Sequence, residues 1–332
     1  MAFMKNIIKQ WSEMVIPAGS EAAHLPSVLA TFKDIADSTE IDRLGNGIVR
    51  KNGVGPHVAL VAHIDEPGIM VNHIEENGFL RFLTIGSLEA KQLIGQHVRF
   101  TNQTRGIIGC EMKDANTSLS VDDLYIDLGV DSAEEAYHLA PIGISAVLDV
   151  PFAELGEHRL SGRALDNRAG CVAAADAFRQ LADEGRQVTL VFSAQSVVGA
   201  RGAKTAAFAL QPDLVLVIDS APAGDMPKAK RMDLRLGHGP ALKIMDGTVI
   251  TPLRVKNVLQ DAAETLGINI QHEVWPGGQS DAGQIHLSQA GLMVGGLSIP
   301  TRYTGQLSQV IDVRDVESLV KWAVAAANQW KA

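Results

Sequence analysis

Three short segments limit the fold more than any other feature of the chain: Val58-Ala-Leu-Val-Ala62, Thr189-Leu-Val-Phe192 and Leu214-Val-Leu-Val-Ile218. Each is an almost unbroken apolar run of strand length. A strand with one face in water alternates apolar and polar residues, whereas a strand that is apolar throughout needs cover on both faces. Such runs predict interior strands of a sheet held between two layers of helices. Each run is followed by a polar residue, His63, Ser193 and Asp219 in turn. The carboxyl ends of such strands are where open α/β sheets place ligands.

The intervening segments fit the covering helices. Apolar periodicity predicts helices over 4–17, 21–36, 169–184, 203–210, 252–266 and 314–330. Pro17-Ala-Gly-Ser20 breaks the first, and Thr251-Pro252 starts the fifth. Between Ser38 and Arg50 the pattern is strand, turn at Gly45-Asn46-Gly47, strand. Residues 67–159 differ. There, short runs such as Val98-Arg-Phe100 and Ile107-Ile-Gly-Cys110 are spaced by glycines, as in a small barrel. At 332 residues the chain suits two domains. The expectation is an α/β domain, a central mixed sheet flanked by helices, built from 1–66 plus 160–332, with 67–159 inserted as a β-barrel domain.

Composition narrows the function classes. Hydrophobic residues make up 46% and charged residues 20%, ordinary for a globular protein. A net charge of -9 argues against a nucleic-acid partner. The basic cluster Lys228-Ala-Lys230-Arg231 reads as a solvated loop. Cys110 and Cys171 belong to no CxxC motif and are expected as free thiols of a reducing compartment. No apolar stretch has the length of a signal peptide core or a membrane span. A cytoplasmic protein without a membrane partner is expected.

His63, Asp166 and Asp219 are the residues with chemistry to offer. In His63-Ile64-Asp65 the carboxylate is spaced to orient the imidazole, as the second nitrogen of a metal-bound histidine requires. A hydrogen-bonded structural histidine fits the same pattern. Asp166 precedes a predicted helix and also reads as its N-terminal cap or as a first-turn carboxylate favoured by the helix dipole. Asp219 follows five apolar residues, where a bare carboxylate is costly unless paired or metal-bound. One histidine and two aspartates at sheet ends suffice for a single divalent ion with an open position.

Several segments together resemble the tetrahedral aminopeptidase family of metallopeptidases, which includes glutamyl and deblocking aminopeptidases and proteins once labelled cellulase M or endoglucanase. They are Leu44–Ile48, Ala62–Glu66, Gly162–Gly170, Gln195–Ala203, Gly278–Leu287 and Ser298–Tyr303, in order over nearly the whole length. The resemblance implies a phosphorylase/hydrolase-like zinc peptidase fold, a PDZ-like barrel insert, zinc or cobalt dependence, and a homo-oligomer, often a dodecameric shell. It also implies that His63 and Asp219 hold one metal and that Asp166 bridges two.

The same resemblance exposes a gap. The family carries consecutive glutamates, a general base and a second-metal ligand, where this chain has Ser196 and Val197. A further histidine ligand is replaced by Gly305, and Asn167 stands for a frequent second aspartate. At most one divalent ion is then expected, on His63, Asp166 and Asp219. The predicted function is a metallo-aminopeptidase-like protein of weak or absent turnover on peptide N-termini. The alternative is a non-catalytic homologue that binds a peptide or small molecule or serves as an assembly subunit. Gln195, Gln279 and Gln306 could supply neutral amides to the cavity, while His286 reads as structural.

Overall fold

In a computed structural model, residues 1–111, 118–229 and 232–331 are described. Lys230 and Arg231 of the basic cluster lie outside them. The main sheet has eight strands. In spatial order they are Ser38–Ile41, Gly47–Lys51, Arg186–Ser193, Val54–His63, Leu214–Pro222, Val294–Thr301, Ala241–Asp246 and Gln271–Trp275. The three apolar runs are adjacent, paired in parallel at its centre. Val294–Thr301 extends that parallel core, and antiparallel pairs flank it on both sides.

Side chains of a strand alternate between faces, and both faces here are apolar. Val58, Leu60 and Ala62 join the large core under helices Ala2–Ser12, Leu165–Asp183, Leu253–Leu266 and Val313–Gln329. Ala59 and Val61 join a smaller core under Arg201–Leu210 and Asp281–Ile285. Gly295 lets a helix lie close on the sheet: a Cβ there would meet Val255 Cγ1 at 2.8 Å and Leu259 Cδ1 at 2.9 Å.

Strands Gly68–Ile74, Leu80–Ile85, Leu124–Asp127, Arg105–Cys110, His97–Phe100 and Ser145–Leu148 close into a barrel. Its own core includes Ile69, Phe82, Phe100 and Ile126. The barrel also carries short helices, Ala90–Leu93 and Ala133–Leu139, which the glycine-spaced pattern concealed. A separate three-stranded sheet, Ala153–Leu155, Arg159–Gly162 and Gln309–Asp312, joins the segment after the barrel to a segment near the C-terminus.

Several boundaries differ from the periodicity. The first helix is Ala2–Ser12, not 4–17. The chain turns away early because Met14 O accepts from Arg163 and Ile16 N donates to Glu66. The second is Glu21–Leu29 followed by a 3-10 turn at Ala30–Phe32. The hairpin turn is centred on Asp42–Asn46 because the Asp42 carboxylate accepts from the amides of Leu44 and Asn46. No helix among the described residues is long and apolar enough to cross a membrane. Cys110 and Cys171 are free thiols.

Candidate active site

The site lies at the carboxyl edge of the parallel strands. His63 is the last residue of its strand, and Asp219 sits one strand over, where the neighbouring strand runs past it. Asp166 comes from the start of the long helix Leu165–Asp183. Its side chain makes no helix cap, and Asp166 and Asn167 have non-helical backbone angles joined by a cis peptide. The capping reading of Asp166 is therefore corrected: its carboxylate turns from the helix toward His63. The Asp166 amide is held by Gln309 Oε1 at 2.8 Å, and Asn167 Nδ2 donates to Ile218 O at 2.7 Å, next to Asp219.

These three side chains converge. His63 Nε2 is 3.7 Å from Asp166 Oδ1 and 3.7 Å from Asp219 Oδ1. One donor atom from each lies within 4.8 Å of the other two. Ligand atoms around a dication with bonds of about 2.0–2.2 Å have comparable separations, so the donor set fits one divalent ion. His63 Nδ1 is 3.2 Å from Asp65 O and 3.5 Å from Asp65 Oδ1, which leaves Nε2 directed at the aspartates. Burial alone would lower the His63 pKa, but hydrogen bonding to Asp166, Asp219 and Asp65 outweighs it and holds the imidazole well above its ordinary value. Burial would raise Asp166, yet the His63 partner draws it below the carboxylate norm.

Asp65 does more than face His63. Its Oδ1 accepts from the Ser196 amide and its Oδ2 from the Val197 amide, each at 3.0 Å. The same loop is pinned by Asn46 Oδ1 on Ala194 N and by Glu21 Oε1 on Gln195 N. Ser196 Oγ donates to Asp281 Oδ1 at 2.6 Å, and Ser193 Oγ donates to the other oxygen of Asp281. Burial pushes the Asp281 carboxyl up, against the pull of His63 and these two hydroxyls. Gly305 lies across the cleft with φ +76°, and a Cβ there would meet nothing within 4 Å. Neither Val197 nor Gly305 offers a side-chain donor to a metal.

Two buried networks support the site. Glu66 takes Arg163 on both oxygens at 2.5 Å and Arg168 at 3.0 Å. Behind Asp219, Lys243 is paired with Glu273 and Asp246, and Ser298 donates to Glu273. Sequence reasoning missed Asp281, Lys243 and Glu273. The available signal was a lone charge inside an apolar strand pattern, as in Ala241-Leu-Lys-Ile244. His286 caps its short helix, with Nδ1 3.1 Å from Ala282 O, away from the metal corner.

The metal corner opens on a cleft of about 960 Å³, lined by His63, Asp166, Asp219, Ser196, Val197 and Gly305 among others. Gln279 and Gln306 also line it, while Gln195 does not. Gln306 Oε1 accepts from Gln92 of the barrel at 2.8 Å, and Leu307 packs on the barrel core.

The sequence profile of the M42 glutamyl aminopeptidases matches residues 45–322. The lysyl aminopeptidase of Pyrococcus furiosus is 32% identical over 343 residues, covering 99% of this chain and 96% of that protein. An aminopeptidase structure from the archaeon Desulfurococcus kamchatkensis superposes with a TM-score of 0.94 at 33% identity, covering 99% of this chain and 96% of that one. The Pyrococcus horikoshii TET1 peptidase, described as assembling into a tetrahedron or a large octahedral shell, gives 0.90 at 29% identity over 98% and 100% of the chains. With the profile spanning most of its length and the fold matching throughout, this chain belongs to the M42 glutamyl aminopeptidase family.

Proposed function

We propose that this protein is an M42 aminopeptidase relative that turns over peptide N-termini weakly or not at all, while keeping the cleft that receives them. One observation carries the reading: the loop where the family resemblance places paired glutamates is held firmly by Asn46, Glu21 and Asp65 but presents a hydroxyl and an isopropyl group. The Ser196 hydroxyl donates to Asp281 and is a poor base at neutral pH. Loss of a general base costs about 10²–10⁴ in rate. A bound metal would supply Lewis acidity and an activated water. His63, Asp166 and Asp219 would hold at most one such ion, zinc or cobalt, with Asp65 orienting His63.

The alternative reading, a non-catalytic peptide-binding or scaffold homologue, follows if that single ion leaves no turnover. The Ser196–Asp281 hydrogen bond favours residual activity, since it keeps a carboxylate one hydroxyl from the cleft. Separate hydrophobic cores support treating 67–159 as an inserted domain within 1–66 plus 160–332. The shells described for the Pyrococcus horikoshii protein support a homo-oligomer, with a dodecamer favoured. Free cysteines and the absence of a membrane-crossing helix among the described residues fit a cytoplasmic location.

The test is hydrolysis of a panel of aminoacyl anilides by purified protein with zinc or cobalt. Turnover is expected to be marginal. Strong activity that survives removal of trace peptidases and vanishes in Asp166→Ala would reverse the proposal.

A further inference from the structure

We infer that the cleft selects ligands whose leading side chain is uncharged and apolar. The inference rests on the reading of the cleft as a site for peptide N-termini and names the class of residue it accepts. Among the described lining residues, the charged ones are His63, Glu66, Arg163, Asp166 and Asp219. Three of these form the metal corner. The other two satisfy each other: Arg163 donates to both oxygens of Glu66 and to Met14 O, and Glu66 also receives Arg168.

What remains for a ligand side chain among the described residues is uncharged: an apolar wall interrupted by the neutral polar groups of Ser87, Gln279, Thr304 and Gln306. Leu88 and Leu148 stand on the barrel side, and Met226, Met232, Val274 and Trp275 on the sheet side. Val197 continues this wall into the position of the missing carboxylate. Methionine thioethers adapt to varied apolar shapes, and the indole of Trp275 adds a broad flat surface. A carboxylate or ammonium carried by the ligand into this space would lose water and gain no opposite charge among the described residues, only neutral hydroxyls and amides. Lys230 and Arg231, outside the described residues, fall in sequence between the lining residues Ala229 and Met232. The experiment therefore includes them.

The probes are the α-amides of leucine, phenylalanine, glutamate and lysine, titrated calorimetrically into the full chain with zinc present. Leucine and phenylalanine amides are expected to bind at least about tenfold tighter than the charged pair, the factor that goes with leaving one buried polar group unpaired. Val274 is 54% exposed, so Val274→Asp puts a charge on the wall with little effect on folding. That variant should move the leucine-to-lysine ratio about 2- to 5-fold toward lysine, the range of an exposed ion pair. Tighter binding of glutamate amide, abolished by Lys230→Ala with Arg231→Ala, would overturn the side-chain inference and leave the peptide-site reading standing. Folded protein that binds none of the four amides would overturn both.

Discussion

At one corner of the cleft His63, Asp166 and Asp219 converge with donor atoms within 4.8 Å of one another. At the other, Ser196, Val197 and Gly305 offer a hydroxyl, an alkyl group and a hydrogen. The two corners are equally well built in backbone terms. The first is fixed by strand ends, by Gln309 on the Asp166 amide and by Asn167 on Ile218 O. The second is fixed by Asn46, Glu21 and Asp65 on three successive stretches of main chain. Positioning and chemistry are thus separate properties: the scaffold aims whatever side chain it is given, and only the first corner gathers, among the described residues, a group of side chains that could ligate a metal.

The largest effect should come from refilling the second corner. The triple variant Ser196→Glu, Val197→Glu, Gly305→His is expected to raise anilide turnover by about 10²-fold or more, the scale of a restored general base. The single changes should do almost nothing, because such residues act as a unit. Space is not the obstacle at Gly305, but its left-handed backbone costs any side chain some strain. A folded triple variant no faster than wild type would break the comparison, because turnover would then not be set by these three positions.

Metal binding sharpens it next. One zinc per chain is expected by elemental analysis, with Asp219→Ala losing it. At a free zinc concentration of a hundred times Kd the wild type should gain roughly 2.7 kcal/mol of stability, read from denaturant midpoints. Two tightly held ions per chain would show that the second corner has ligands other than those named.

A smaller effect is expected from pH. Burial raises the Asp281 carboxyl, so its folded value lies above its unfolded one. The stability it contributes is whole at low pH and is lost as pH climbs from about 4 through the raised value. Asp281→Asn stays neutral throughout. Urea unfolding should therefore show the variant gaining on wild type as pH rises toward neutrality. Parallel curves would mean that the carboxyl beneath Ser196 titrates normally.

The smallest effect concerns the back of the first corner. Cys171 is buried, donates to His63 O at 3.0 Å, and has a thiol pushed up to about 12 by desolvation. Alkylation of native protein should label the half-buried Cys110 and spare Cys171, as peptide mass mapping would register. Fast labelling of Cys171 would mean that the strand end carrying His63 opens readily.

The central sheet was legible because a strand buried on both faces has no polar positions, and Val58–Ala62 and Leu214–Ile218 show none. His63 and Asp219 were legible because they end two of those runs, whereas Asp166, ahead of a helix, stood out only beside the family pattern. The outer strands Ala241–Asp246 and Gln271–Trp275 were not. Their inward positions carry Lys243 and Glu273, whose pairing across strands reconciles charge with burial and cannot be seen in one dimension. Asp281 escaped notice for a related reason. Its partners Ser193 and Ser196 lie more than eighty residues away in sequence. The departures at Ser196, Val197 and Gly305 were visible only against the family pattern, since no physical rule demands glutamate there.

The Asp65 clamp has one more consequence. Because a single carboxylate holds the amides of Ser196 and Val197, the course of that loop depends little on what projects from residue 197. Exchange of an alkyl group for a carboxylate there should leave the folding free energy nearly unchanged, so that any change in reactivity made together with Ser196 and Gly305 comes at little cost in stability. The side chain at this position is an interchangeable fitting, which can be exchanged without passing through an unstable intermediate.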